Sequence, residues 1–460
     1  MSVFADTTYR SYWLDDPKAP AARPPLLKDV RCDLAVVGAG FTGLWSALLA
    51  AERFPGREIV IVEQRSAGWA ASGRNGGFLE ASLTHGIANG AARFPGELPR
   101  LEALGLENLQ EIAETVEKEG IDCQLERNGT ISVATAEWQI AELEEIAGLS
   151  RRYGHEVELL DADALAGLVR SPTYLAGLLA KGHTALVNPA RLAWGLAEAC
   201  ERRGVRLFEQ TKVVSVSRSG SGLRLETPHG AIQADKAVLA TNAFRPLVRR
   251  VRPYILPVYD YVLVTEPLSA DQKDAIGWRG RQGLSDSGNQ FHYYRLTADD
   301  RILFGGYDAV YHYANGLRDE LDRRPATFDK LADHLVETFP VLDGIGFTHA
   351  WGGAIDTCSR FFAFYGTAFA KRAAYAAGFT GLGVGATRFA AKVMLELLEG
   401  GGELSELEMV RSKPVPFPPE PLRYGVVELT RRSLASADAA GGQRNVWLRL
   451  LDRIGLGFDS

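Results

Sequence analysis

The stretch from Cys32 to Gly77 constrains this chain more than any other. Leu34 to Val37 is an apolar run of strand length that enters Gly38-Ala39-Gly40-Phe41-Thr42-Gly43. A segment rich in alanine and leucine follows, closed by Pro55-Gly56, and Ile59 to Val62 is a second apolar run ending in Glu63. Strand, glycine turn, helix, strand and acid form the order of a dinucleotide-binding unit. Gly38 permits the tight turn, Gly40 lets backbone approach a pyrophosphate, and Gly43 lets the helix pack on the strand. The helix start at Phe41 and Thr42 offers free N–H groups and partial positive charge to phosphates. Glu63, followed by Gln64 and Arg65, lies about twenty residues past the last glycine, where an acid hydrogen-bonds ribose hydroxyls.

Ala71-Ser72-Gly73-Arg74-Asn75-Gly76-Gly77 comes soon after that acid. A loop of small residues can wrap the far side of a pyrophosphate; Arg74 adds charge and planar donors, and the glycines allow close approach. The rest of the chain is long enough for two or three cores: 460 residues, 46% hydrophobic and 23% charged. A net charge of -6 argues against an electrostatic nucleic-acid binder. Cys32, Cys123, Cys200 and Cys358 lack CxxC spacing, which argues against a disulfide framework or zinc site and suits a reducing cytoplasm. The start, M-S-V-F-A-D-T-T-Y-R, has no apolar signal core, and no apolar run reaches membrane-spanning length. No histidine motif suggests a metal site. The expectation is a cytoplasmic protein without stable membrane insertion.

Residues 1 to 27 are polar and proline-bearing, with Ser11-Tyr12-Trp13 either an aromatic anchor or part of a mobile arm. Leu101 to Glu119 and Glu137 to Tyr153 have helical spacing, with strand-like alternation from Cys123 to Ala134 between them. Tyr259 to Thr265, Gln290 to Leu296 and Ile302 to Gly305 read as strands of an antiparallel sheet. Their aromatic residues suit either a cavity wall or an ordinary sheet face. Tyr375 to Gly385 is a second glycine-spaced turn, with a helix expected from Ala386 to Leu398. After Gly400 a proline-rich linker leads to a basic helical segment and an amphipathic ending, Val446 to Ile454. That ending suits capping of the nucleotide domain, a second subunit or, least, a membrane surface. The linker opens a C-terminal extension, 405–460.

The motifs V-G-A-G-F-T-G-L and A-S-G-R-N-G-G, with the later glycine turn, resemble the D-amino-acid oxidase-like (DAO) family of FAD-dependent oxidoreductases, over most of Ser11 to about Gly400. The resemblance implies an α/β fold: a Rossmann-like, glutathione-reductase-like FAD domain in three pieces (28–90, 155–248 and 346–404), and an α+β substrate domain on an antiparallel sheet (91–154 and 249–345). It implies that Val213 contacts the adenine, although a core valine is the plain reading. Thr241 and Asn242, in A-T-N-A, stand near the pyrophosphate with a helix expected after them. Gly381, Leu382, Gly383 and Val384 lie against the flavin. Some members carry a histidine and a lysine in that loop; this chain has Leu382 and Gly385. Cys358, in Asp356-Thr357-Cys358-Ser359-Arg360, is displaced from the position where some members attach FAD, so non-covalent FAD is expected.

The implied chemistry is oxidation of a C–H beside an amine, by hydride transfer to flavin N5 and hydrolysis of the imine. The substrate is a small amine or amino acid, of gamma-glutamyl-amine or secondary-amine type, and oxygen or another electron acceptor reoxidises the flavin. Candidates for the substrate wall are Tyr259, Tyr261, His292, Tyr294, Arg295 and Trp351. Arg295 is read either as a carboxylate clamp or as a partner for an acid, and His292 more as a structural histidine than as a proton carrier. Two other readings keep the flavin: a 2-hydroxy-acid dehydrogenase or aminophosphonate oxidoreductase, and a non-enzymatic interaction protein. An oligomer is compatible with all of them.

Overall fold

A computed structural model describes residues 3–453, 455 and 456. Two large sheets organise the chain. The first runs Phe364–Ala368, Ala373–Ala377, Ala231–Leu239, Val30–Val37, Ile59–Val62, Arg206–Phe208, and Gly222–Glu226 with Ser215–Ser219 pairs onto the Ala231 end. Its centre is parallel: Leu34–Val37 aligns with Ile59–Val62 on one side and with Lys236–Leu239 on the other. The short apolar runs explain this, since strands covered on both faces carry no polar side. On one face the helices Phe41–Arg53, Pro189–Arg202 and Gly383–Leu398 pack together, with Leu44, Leu48, Leu196, Ala390 and Met394 in one buried cluster. Gly43 is what lets the first helix sit so close: a Cβ there would stand 1.9 Å from the Gly38 carbonyl oxygen.

The second sheet runs Val310–Tyr311, Leu256–Thr265, Ile302–Gly306, His292–Leu296, Gly283–Asp286, Thr130–Ala134, Ala176–Ala180, Val157–Asp161, with Phe347–Thr357 on the other side of Leu256–Thr265. It is antiparallel except between Gly283–Asp286 and Thr130–Ala134. The helix Pro325–Thr338 covers one face over Tyr261, Tyr294 and Phe304. Three expectations need correction. Val157–Asp161 and Ala176–Ala180 fall within 155–248 but pair into this second sheet. Phe347–Thr357, within 346–404, pairs along nearly all of Leu256–Thr265. No α-helix follows Thr241-Asn242; the chain bends into the 3-10 turn Arg249–Tyr254. In each case sequence periodicity marks an element but not its pairing partner.

The described residues at either end, around Trp13 and Asp438, are tied to the body of the protein. Trp13 is fully buried and donates from Nε1 to the Asn75 carbonyl (2.9 Å), and Ser11 Oγ donates to the Gly73 carbonyl (2.8 Å). The start of the chain is thus an anchor. The C-terminal helices Leu422–Ala439 and Val446–Arg453 pack through Leu434, Ala437 and Leu448; Ile454 lies outside the described residues. Asp438 fixes this segment by accepting from Asn289 N and Nδ2 and from Gln290 N, at 2.7 to 3.0 Å. Among the described residues no helix is long and apolar enough to cross a membrane.

Replacing Asp438 with Ala removes three bonds to a carboxylate, each worth about 1.5–3 kcal/mol at most when charged. The expected outcome is faster limited proteolysis within 413–456 with the rest of the chain equally resistant; unchanged cleavage would mean that Asp438 is not an anchor.

Candidate active site

The first glycine turn ends a buried strand, so its backbone leaves the sheet at the carboxyl edge, where α/β sheets bind ligands. Gly38 has φ +105, and a Cβ there would meet the Ala240 carbonyl oxygen at 2.4 Å. No side chain caps the helix Phe41–Arg53, although Phe41 N donates to Ser72 Oγ (2.9 Å). The helix Gly383–Leu398 is likewise uncapped, and begins three residues before the expected start. Gly381 has φ +92, and a Cβ there would meet nothing within 4 Å. Both uncapped helix starts and both glycine turns line one cavity of about 1040 Å³, slightly above the size of about 300–1,000 Å³ usual for small-ligand sites.

Most expected cofactor residues line this cavity: Gly38, Gly40, Phe41, Thr42, Glu63, Gln64, Ala71, Ser72, Arg74, Asn75, Gly76, Val213, Thr241, Asn242, Gly381, Leu382, Gly383 and Val384. Three do not. Gly43 packs beneath the turn, as above. Arg65 turns outward to Asp319 (2.8 Å) and over the Trp69 ring. Gly77 faces the chain behind it, where a Cβ would meet the Val187 carbonyl oxygen at 2.2 Å. Arg74 lines the cavity but its charge is engaged: it pairs with Asp322 and donates to the carbonyls of Trp69 (2.9 Å) and Gly352 (3.1 Å). Glu63 accepts from Ala39 N (2.9 Å), Arg65 N (2.9 Å) and Trp69 Nε1 (2.9 Å), while burial raises its carboxyl above the ordinary range.

The expected substrate wall is largely misplaced. Of the six candidates only Tyr259 lines the cavity. Tyr261 donates to the Leu321 carbonyl (2.9 Å), and Tyr294 shares a hydrogen bond with Tyr174 (2.7 Å) in the core beneath the second sheet. His292 is held between Asp286 (2.5 Å) and His334 (2.9 Å). Arg295 is no clamp and pairs with no acid: it is buried and donates to the carbonyls of Val187 (2.8 Å), Gly77 (3.4 Å) and Leu296 (3.3 Å), with burial pushing it down to about 10. Trp351 Nε1 donates to the Arg74 carbonyl (2.9 Å). Arg295 and Trp351 are used behind the turn Gly73–Gly77, on the carbonyls of Gly77 and Arg74; for Tyr261, His292 and Tyr294 the physical reason is strand parity. Alternate residues face opposite sides, and the cavity receives Val258, Asp260 and Val262 from one strand and Tyr293 from another.

Sequence reading missed Asp260 and Tyr293. Tyr293 donates its hydroxyl to Asp260 and stacks edge-on with Phe78 over Gly76. Burial pushes Asp260 up to about 6. Asp356 accepts from Gly378 N (2.7 Å), which ties the second sheet to the second glycine turn, and burial pushes it up to about 7. The C-terminal segment, whose ending suited capping of the nucleotide domain, walls the cavity through Val426, Val427, Thr430, Arg431, Leu434 and Leu451. Alternation around Asp260 was the only signal for the first pair; the amphipathic ending was the signal for the C-terminal wall, and the inward residues of the helix before it carried none.

These features fit FAD: glycine turns too tight for a Cβ, two uncapped helix starts for anionic groups, and a buried acid beside the first turn. Known proteins agree. The family described as DAO, FAD dependent oxidoreductase, matches residues 33–397. A probable oxidoreductase of Haemophilus influenzae, OrdL, is 29% identical over 402 residues, covering 86% of this chain and 89% of that protein. Gamma-glutamylputrescine oxidoreductase of Escherichia coli is 33% identical over 402 residues, covering 85% and 89%. Glycine oxidase from Geobacillus kaustophilus shares the fold, with a TM-score of 0.67 at 21% identity over 83% of this chain and 99% of that one. The chain therefore belongs to the DAO family of FAD-dependent oxidoreductases and binds FAD.

Proposed function

We propose that this protein oxidises the carbon–nitrogen bond of an amine or amino acid to an imine, which water then hydrolyses. The observation that carries this reading is the meeting of two glycine turns, some 340 residues apart, with a wall of the second sheet in one cavity. FAD, when bound, supplies the hydride acceptor at N5. The residues that would hold it are the turns at Gly38–Gly43 and Gly381–Val384, the loop Ser72–Gly76, and Glu63, Val213, Thr241 and Asn242. The chain's own part is to bind and orient the amine and to exclude water from the reacting carbon. Val258, Val262 and the C-terminal leucines supply apolar wall, and the Tyr293–Asp260 pair supplies a fixed polar group.

We assign the first sheet, with its helices, to a glutathione-reductase-like FAD domain. We assign the second sheet to the substrate, with boundaries moved to about 181 and 358 to follow the strand pairing. The names of the relatives, which include a gamma-glutamylputrescine oxidoreductase and a sarcosine oxidase subunit beta, support a gamma-glutamyl-amine or secondary-amine substrate. Non-covalent attachment is supported by Cys358, which lines the cavity but whose Sγ is turned to the carbonyls of Phe362 (3.1 Å) and Gly378 (3.4 Å), with burial raising the thiol. Four buried free cysteines suit a reducing cytoplasm.

The purified protein is expected to be yellow and to bleach anaerobically with the right amine; absence of bleaching across a broad panel of amines and amino acids would remove the proposal. Acid precipitation is expected to leave the flavin in the supernatant, and flavin in the pellet would refute non-covalent binding. Gly43→Ala places a methyl against backbone that cannot yield, an overpacking cost of about 1–3 kcal/mol or more. Flavin affinity, read from the ratio of bound flavin to protein, should fall at least ~10-fold; a fully loaded Gly43→Ala protein would contradict the role given to that glycine.

A further inference from the structure

We propose that Asp260 is the proton acceptor of the reaction: its carboxylate takes a proton from the substrate's ammonium before the C–H bond breaks, and Tyr293 positions it. This deepens the amine-oxidation reading and rests on it. An amine of ordinary basicity is an ammonium at pH 7, with roughly 1 molecule in 10³ neutral. The ammonium nitrogen has no lone pair with which to form C=N, so a proton must leave first. Among the described residues five carboxylates line the cavity, and four sit at the cofactor turns or are spent on the fold. Glu63 is bound at the first glycine turn and Asp356 at the second. Glu80 lies against the start of the helix Gly383–Leu398, where a Cβ at Gly385 would meet its carbonyl oxygen at 2.2 Å. Asp308 is held by Arg324 (2.9 Å), Lys330 (3.0 Å) and Thr327 (2.8 Å). The fifth, Asp260, stands on the second sheet, half-buried and facing the cavity.

Two glycines build the pair. The strand Ile302–Gly306 runs between those of Tyr293 and Asp260, and Tyr293 lies across it at Gly305, its partner in register. A Cβ at Gly305 would stand 2.8 Å from the Tyr293 hydroxyl oxygen, and one at Gly76 would stand 2.6 Å from the Tyr293 ring. The pair therefore reaches from the loop Ser72–Gly76, assigned above to FAD, to the substrate sheet. Asp260 accepts from the Tyr293 hydroxyl, from Tyr261 N (2.8 Å) and, more weakly, from the Gly306 backbone. A carboxylate offers about four lone-pair sites, so these neutral donors leave one for a substrate N–H. The charged groups around it are committed. Arg74, which lies against Gly353 opposite Asp260, is engaged by Asp322; His292 is held by Asp286 and His334; and Asp308, beyond Gly306 and Tyr307, is held as above. Burial and the Asp260 charge keep the Tyr293 hydroxyl well above the ordinary tyrosine range, so it stays protonated and donating.

In the step one N–H bond of the ammonium breaks and an O–H bond forms on Asp260, while the electron pair stays on nitrogen. The C–H pair then leaves as hydride, so that carbon is oxidised and the flavin reduced, and the nitrogen pair closes C=N. The cavity favours the transfer, because burial raises a carboxylate and lowers an ammonium, which brings the two closer in basicity.

The test follows anaerobic bleaching of the holoenzyme at limiting amine across pH, with gamma-glutamylputrescine and sarcosine as probes. In the wild type the rate should rise through about pH 6, where Asp260 ionises, and then stay level up to the amine's own pKa of about 10. Asp260→Asn keeps an oxygen for Tyr261 N and Tyr293 but reacts only with neutral amine. Its rate should be ~10²–10³-fold lower at pH 7, climb about tenfold per pH unit, and close most of the gap by about pH 10. Tyr293→Phe should keep the level region with its lower edge moved to higher pH, since a donor that lowers Asp260 is gone. Infrared difference spectra of amine-reduced holoenzyme should show a new protonated-carboxyl C=O band that is missing in Asp260→Asn and after reduction by dithionite. Both variants should hold wild-type flavin content; loss of flavin from Asp260→Asn overturns the assignment, because the carboxylate would then serve the cofactor. An Asp260→Asn profile parallel to wild type at all pH, or the carboxyl band persisting in that variant, overturns it too. A wild-type rate that climbs all the way to the amine's own pKa removes the step and leaves amine oxidation standing. Absence of bleaching by both probes and across the amine panel removes the oxidation reading and this step with it.

Discussion

The turn from Gly73 to Gly77 is held from behind by four donors that come from three distant parts of the chain. Ser11 Oγ takes the Gly73 carbonyl, Trp351 Nε1 that of Arg74, Trp13 Nε1 that of Asn75, and the Arg295 guanidinium that of Gly77. Each is buried, where an unpaired carbonyl would cost about 1–3 kcal/mol. With its oxygens bound on the rear side, the turn is fixed against the cavity through Ser72, Arg74, Asn75 and Gly76. This bracing explains why the N-terminal arm is ordered and why Arg295 is buried with carbonyls and not an acid as its hydrogen-bond partners. Two residues that looked like substrate contacts, Arg295 and Trp351, are in fact part of the frame.

The parts legible in the sequence are those where backbone geometry demands a residue type. Gly38 and Gly381 occupy positive φ, and Gly43 and Gly385 leave no room for a Cβ, so each turn was recognisable from glycine spacing. The helices Leu98–Glu119 and Glu137–Arg152 matched their periodicity closely. The substrate wall was legible as strands but not as faces. A one-residue change of parity exchanges cavity for core, and aromatic residues at 259, 261, 292 and 294 suit a core under the helix Pro325–Thr338 as well as they suit a wall. Strand pairing across long separations, as between Leu256–Thr265 and Phe347–Thr357, leaves no local mark, which is why strands expected with the first sheet pair into the second.

The carboxylates of the cavity separate into roles by the company they keep. Asp308, between Arg324, Lys330 and Thr327, is held below the ordinary range, and its charge is spent on the fold. Asp260 and Asp356 have neutral donors only and sit higher, at about 6 and about 7. The distinction is one of partner and not of depth, since burial acts on all of them in the same direction.

The outer wall of the cavity comes from a segment that lies beyond residue 397, where the match to the family ends. The cofactor turns and the lining from Val426 to Leu451 therefore answer to different constraints. The turns tolerate little side-chain change, because Gly38, Gly43 and Gly385 leave no room for a Cβ and Gly381 holds a positive φ. The helix Leu422–Ala439 is held at its ends, by Arg423 on Asn315 (2.8 Å), Tyr424 against Tyr311 and Asp438 on Asn289, so Val426 and Val427 on its cavity side are free to diverge. A lineage carrying this framework has a place to remodel its preferences without disturbing the redox machinery, and relatives with near-identical glycine loops need not share a menu.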